Sequence, residues 1–241
     1  MNEIGPAQIG EFAIWYVVFL FSLTVHEGAH ALLAWWGGDD TAYRGGQVTL
    51  NPWPHLTREP FGTVVVPVLS FFMAGWMMGW ASTPYNPDWG RRHPRRQALM
   101  SAAGPAGNLL IAGIAFAVMR ALLVTGVLTW PQSAGFSRLV APAPGTPAGS
   151  WLEPLCLLLS VAVNLNVLLG IFNLIPLPPL DGAGILEGLL PGPAGRFFIL
   201  LRSNPMLSIL GLLAAWKLFG AIAGPLFGLI LRLAHPGILY G

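Results

Sequence analysis

The chain has 241 residues, 54% of them hydrophobic and 9% charged, with a formal net charge of +2 and a mean hydropathy of +0.64. Soluble domains carry about 25% charged residues, so this balance excludes an ordinary soluble globule and points to a polytopic membrane protein. A surplus of two positive charges is too small for a nucleic-acid binder, and Cys156, the single cysteine, excludes an intramolecular disulfide.

In chain order, MNEIGPAQIGEF has no basic start typical of a cleaved signal and leads into an apolar segment from about Phe12 to Trp36. The polar stretch that follows contains GQVTLNP, whose alternation and β-branched residues predict a short strand or hairpin near Gln47–Leu50. A second apolar segment, Phe61 to Ala81, is interrupted by Pro67 and rich in Gly, Met and Trp. The basic loop STPYNPDWGRRHPRR comes next, then a third segment, Ala98 to about Val124, opening with SAAGPAGN. Residues 129–150 read as an irregular loop. The fourth segment, Leu152 to about Ile175, ends in NLIPLPPLDG, and a last one starts near Met206, with Pro225 expected to kink or end it. The whole reads as one membrane-embedded domain over 1–241, with its core at about 12–190 and a C-terminal membrane segment at about 206–234. The fold class is all-α, with about four transmembrane helices, a re-entrant or broken hairpin and a short cytoplasmic β-hairpin.

FLFSLTVHEGAHALLAWW places His26, Glu27 and His30 inside an apolar run. Ionisable groups at membrane depth are costly and mark function. Two histidines four apart share a helix face and can grip one metal ion, and the adjacent glutamate can act as general base. Two buried histidines bonding between helices would give the same five letters, but Glu27 would then also need a partner. A catalytic zinc takes three protein ligands and keeps one position open. Asp181, in PLPPLDGAG, offers a third: three nearby prolines forbid a regular helix and leave extended backbone, tolerated at that depth only inside protein or beside a water-filled cavity. The alternative for Asp181 is an N-cap of the following helix.

Taken together, HEGAH, AAGPAGN and FNLIPLPPLDG, with VTLNPWPH, GWASTPYNP and RRHPRR between them, resemble the site-2 protease family of intramembrane zinc metalloproteases, in a compact branch without PDZ-like or CBS-like domains. The resemblance runs from about Leu23 to Leu190. It implies one zinc per chain held by His26, His30 and Asp181, with Glu27 as catalytic base. It places Asn173 and Asn108 in substrate or transition-state binding, although Asn108 suits an interhelix hydrogen bond equally well. Ala183, ahead of Gly184, departs from the family's pattern, as does a longer stretch between His55 and Gly62. His55, His93 and His235 read as loop or interface residues; His55 could support the site without being a ligand.

Ligand depth constrains topology. His26 and His30 lie toward the C-terminal end of the first segment and Asp181 follows the fourth, so these two must run in the same direction and one segment between them must not cross. Phe61 to Ala81 is the candidate. Arg44 and Arg58 before it and Arg91, Arg92, Arg95 and Arg96 after it put both flanks on the cytoplasmic side, with Arg196 and Arg202. The expected function is a zinc-dependent endopeptidase acting on transmembrane protein substrates near the cytoplasmic face of the cell membrane, most simply a bacterial inner membrane. The competing readings are an inactive binding protein of the same fold and a metal transporter.

Overall fold

The computed structural model describes residues 5–238. Within them lie ten α-helices: α1 (Pro6–Trp36), α2 (Thr41–Arg44), α3 (Trp53–Arg58), α4 (Val66–Ala74), α5 (Pro87–Arg92), α6 (Pro94–Val124), α7 (Leu152–Asn173), α8 (Asp181–Leu189), α9 (Pro193–Ser203) and α10 (Pro205–Ala234). Four of them, α1, α6, α7 and α10, are long and apolar enough to cross a membrane, as the apolar segments predict. The chain is a multi-pass membrane protein. Proline opens α1, α6 and α10 where a missing N–H costs nothing, and α1 stops at the Gly37–Gly38 pair, Gly38 having φ +97°.

Helix α6 packs against α1, α7 and α8 and forms the centre of the bundle. Its residues meet α1 in reverse order: the Asn108 side chain reaches Ser22, and the Met100 carbonyl oxygen reaches His30. Helix α7 meets α1 in the same sense, Asn166 touching Ser22 while Asp181, beyond the end of α7, touches His26 and His30. Thus α1 and α7 run parallel and α6 antiparallel to both. The apolar core joins Trp15, Phe19 and Leu23 of α1 to Met119 of α6 and Val161 and Val163 of α7. Helix α10 lies at the margin, with few buried residues. It docks through Gly211 on the Pro178 carbonyl and through Trp216, which stacks on Trp76 and meets Phe172 edge-on.

The second apolar segment goes in and comes back. A π-helical turn, Phe61–Val65, leads into α4, which ends at Gly75 in the left-handed region, φ +75°. Pro67 cannot donate to the carbonyl four residues back, and Tyr16 Oη supplies that Thr63 oxygen with a hydrogen bond instead, at 3.3 Å. Residues 77–86 then return without regular secondary structure. Met78 N donates to Ser70 Oγ at 2.9 Å and Trp80 N to Gly62 O at 3.1 Å. The two ends of the segment are therefore neighbours, and it is a hairpin with a helical inward limb and an irregular return. Beyond it, Asn86 N donates to Asp39 Oδ2 at 2.6 Å, tying together the loops that flank the hairpin.

Three local expectations are corrected. Gln47–Leu50 forms no strand: Thr49 Oγ1 accepts from Asn51 N and Asn51 Oδ1 from Trp53 N, so side chains turn the backbone locally. The two-stranded sheet lies instead in the loop expected to be irregular, with Leu128–Thr129 (β1) antiparallel to Ala141–Pro142 (β2). Nor does Pro225 end its helix: it sits inside α10, in an apolar helix where neighbouring groups tolerate one missing bond.

Candidate metal centre

His26 and His30 are both buried on the face of α1 turned to α6 and α8. The outer nitrogen of each ring is committed. His26 Nδ1 lies 2.6 Å from Asn108 Oδ1, and His30 Nδ1 lies 2.7 Å from the Met100 carbonyl oxygen. Both partners accept, so Nδ1 carries the proton in each ring and each Nε2 presents a lone pair. These two lone pairs converge, 3.0 Å apart. Asp181 Oδ2 lies 3.1 Å from His26 Nε2, and Asp181 Oδ1 lies 3.3 Å from His30 Nε2.

Three electron-pair donors facing one another repel unless a cation lies among them. Asp181 Oδ2 is buried, and although it is at ion-pair distance from His26 it receives no hydrogen bond. Donors held about 2.0–2.1 Å from one tetrahedral ion lie about 3.3 Å apart, close to the separations here. The ligand atoms of His26, His30 and Asp181 all fall within 4.8 Å of one another and could hold a metal ion. Their chemistry, two imidazoles and a carboxylate, suits zinc.

Glycines let the elements close on this point. A Cβ at Gly104 of α6 would fall 2.6 Å from His26 Nε2 and nearer still to His30 Nε2. A Cβ at Gly182 would strike the Leu174 and Ile175 carbonyl oxygens, so only glycine allows the proline-rich loop to fold tightly before α8. Asp181 caps nothing: Leu180 holds the cap position and no side-chain cap bond is made. The N-cap alternative is therefore not what holds the aspartate there.

Glu27 is buried beside His26, and its backbone carbonyl accepts from Thr83 Oγ1 at 2.9 Å. The Thr49 carbonyl oxygen lies where it would be 3.0 Å from a Cβ on Gly28, so residues 47–51 cross α1 next to Glu27. Asn108 is fully buried. Its Nδ2 donates to the Ser22 carbonyl oxygen at 3.2 Å and to Asn166 Oδ1 at 2.9 Å, and its Oδ1 serves His26, which makes it an interhelix support behind that histidine. Asn173, in the last turn of α7, donates to its own helix at the Leu169 carbonyl oxygen, 3.0 Å away. Asn166 and Ser22 were not singled out from the sequence, yet Asn166 Nδ2 donates to Ser22 Oγ at 2.8 Å and completes the chain to His26. The signal was present: an asparagine inside LSVAVNLNVLLG is a polar residue in a spanning segment.

Comparison with known proteins agrees with this geometry. The chain is 36% identical over 176 residues to "Putative zinc metalloprotease YwhC" of Bacillus subtilis (strain 168), covering 73% of this chain and 68% of that protein. It is 29% identical over 188 residues to "Putative zinc metalloprotease Rip2" of Mycolicibacterium smegmatis, covering 77% and 61%, and 31% identical over 157 residues to the Rip2 protein of Mycobacterium tuberculosis (strain ATCC 35801), covering 61% and 59%. The chain thus spans about two thirds of YwhC and about three fifths of each Rip2 protein. No family model matches it, and no solved structure gives a significant match. The chain belongs to the site-2 protease family of membrane zinc metalloproteases.

Proposed function

We propose that the protein is a zinc-dependent intramembrane endopeptidase that hydrolyses peptide bonds in transmembrane segments of other proteins, near the cytoplasmic face of a bacterial inner membrane. The observation that carries this is the convergence of His26 Nε2, His30 Nε2 and the Asp181 carboxylate in a bundle of membrane-spanning helices. These three residues would hold the zinc, which when bound would supply Lewis acidity toward a carbonyl and lower the pKa of water toward about 7.

The chain's own groups do the rest. Asn108 and the Met100 carbonyl keep the protons of His26 and His30 on Nδ1, so that both Nε2 atoms remain donors to metal. Glu27, one residue from His26, takes a proton from the attacking water on its carboxylate and returns it to the leaving amine. Asn173, a short loop before Asp181, can exchange its bond to Leu169 for one to the developing oxyanion. Burial of Glu27, His26 and His30 limits access of bulk water and strengthens each of these interactions. A metal transporter would need polar groups along a path through several spans, whereas here the ionisable ligands meet at one depth.

The test is a reconstituted one: purified full-length chain in vesicles with a single-span protein substrate, with and without a zinc chelator. Zinc-dependent cleavage inside the span supports the reading. Cleavage that survives complete zinc removal would refute it.

A further inference from the structure

His26 and His30 are held by different kinds of group. His30 Nδ1 faces the Met100 carbonyl, a backbone oxygen that can only accept. His26 Nδ1 faces the Asn108 side chain. An amide side chain carries an oxygen on one arm and an NH2 on the other, in nearly the same shape. Turned over, Asn108 would present its NH2 to His26 Nδ1, which would then have to accept. The ring proton would move to Nε2, and the lone pair that faces His30 and Asp181 would be lost. Something must therefore keep Asn108 the right way round.

The neighbours of the amide do so. Both N–H groups of Asn108 are engaged, one with the Ser22 carbonyl oxygen at 3.2 Å and one with Asn166 Oδ1 at 2.9 Å. Asn166 is an amide too and could turn in the same way. Its own Nδ2 donates to the Ala162 carbonyl oxygen, one turn back on α7, at 2.9 Å and to Ser22 Oγ at 2.8 Å. Ser22 Oγ gives its single proton to the Val18 carbonyl oxygen at 2.6 Å, so toward Asn166 it can only accept. The chain of bonds is thus anchored on the backbone oxygens of Val18, Ser22 and Ala162. Ser22, Asn108 and Asn166 are each 0% exposed, so bulk water offers no substitute bonds. Reversing either amide would set oxygen against oxygen in a buried place, and unanswered groups there are costly. The arrangement that satisfies every N–H is the one that leaves His26 Nε2 free for metal.

We propose that Asn166 is a positioning residue for the metal centre: through Asn108 it fixes which nitrogen of His26 carries the proton, and so which lone pair the ion meets, without itself bonding to a ligand. This rests on His26 being a ligand, as read above. The dependence is one-sided, because His30 takes its orientation from a backbone carbonyl and needs no such chain. It also gives a reason for an asparagine at this place in a spanning helix, where a polar side chain is costly unless it serves a purpose.

The experiment measures zinc affinity of the purified full chain by competition with a chelator. The proteins are wild type, Asn166→Leu, Asn166→Asp, Asn108→Ala, the double variant Asn166→Leu with Asn108→Ala, Asn164→Leu and His26→Ala. Nitrogen NMR spectra of the zinc-free, histidine-labelled chain report which ring nitrogen of His26 carries the proton, with His26→Ala identifying the signal. Leucine fills similar space with no polar atom. Aspartate has the shape of asparagine; kept protonated by its burial, it retains an acceptor for Asn108 and a donor for Ala162. The expected result is that Asn166→Leu lowers zinc affinity by about 10–100-fold and moves the His26 proton from Nδ1 toward Nε2, while Asn166→Asp keeps most of the affinity. Effects of residues that act through one another do not add, so the double variant should bind zinc no more weakly than Asn108→Ala. Asn164, on the same helix, donates to the Phe136 carbonyl oxygen and lies outside the chain of bonds, so Asn164→Leu should bind normally. Unchanged affinity or an unmoved proton in Asn166→Leu would overturn the proposal, as would an equal loss in Asn166→Asp or Asn164→Leu, or losses that multiply in the double variant. His26→Ala separates this idea from the ligand reading. Full affinity there would mean that His26 is no ligand; loss there beside a normal Asn166→Leu would remove only the role of Asn166.

Discussion

Asn108 Oδ1, on α6, lies 2.6 Å from Nδ1 of His26, on α1, while the amide nitrogen of the same asparagine reaches Ser22 and Asn166. One side chain thus locks two neighbouring spans together and sets the tautomer of a candidate ligand. Asn108→Ala should fold, because α6 retains its other contacts, but zinc affinity should fall by about 10–100-fold. Competition with a chelator of known affinity measures this. Unchanged affinity would mean that His26 needs no such support.

Purified wild type should contain one zinc per chain, and His26→Ala or Asp181→Ala should contain little. Two remaining donors cannot complete a three-ligand site. Metal analysis of the three proteins decides it; full zinc in both variants would refute the ligand assignment.

Glu27→Gln should keep zinc and lose proteolysis, by about 10²–10⁴-fold. Glutamine keeps the shape but cannot accept the water's proton at neutral pH. The variant should be no less stable than wild type, since a buried carboxylate is replaced by a neutral amide. Cleavage and zinc content are read on the same sample. If zinc is lost too, Glu27 belongs among the ligands.

Gly104→Ala should empty the site while the protein remains folded in the membrane, because its methyl group would stand against both Nε2 atoms. Gly113→Ala, on the same helix with open space at its Cβ, is the control and should bind zinc normally. Equal zinc in the two variants would show that α6 can draw back from the histidines.

Residues 40 and 88 should label from the same side of the membrane. Asp39 and Asn86 are hydrogen-bonded, and Gly62 and Trp80 are joined at the hairpin's base. Single cysteines at Asp40 and Asp88, in a Cys156→Ser background, tested with an impermeant thiol reagent, would check this. Labelling from opposite sides would overturn the hairpin.

The four spans could be read from the sequence because each is a long apolar run, which needs no partner to declare itself. The two histidines four apart declared themselves in the same way, since their spacing is a property of one helix. The hairpin followed from a single requirement, that His30 and Asp181 meet. What escaped was of two kinds, local turns made by side chains and contacts with neighbours distant in sequence. The alternation in GQVTLNP suggested a strand, but Thr49 and Asn51 turn the backbone with their own side chains. Asn166 was hidden because its role exists only through Ser22 and Asn108. Asn108 itself was read two ways, and its geometry is that of the interhelix support.

The hydrogen bond from Trp80 to Gly62 has an arithmetic consequence. Because the hairpin returns, two crossings, α6 and α7, separate His30 from Asp181. An even count brings both donors to one leaflet. A molecule inserted with the hairpin straightened would make the count odd, and its donors would part by about 30 Å of hydrocarbon. Such a molecule could not load zinc. Metal content would therefore report on insertion, since a chain threaded that way would lack a complete ligand set.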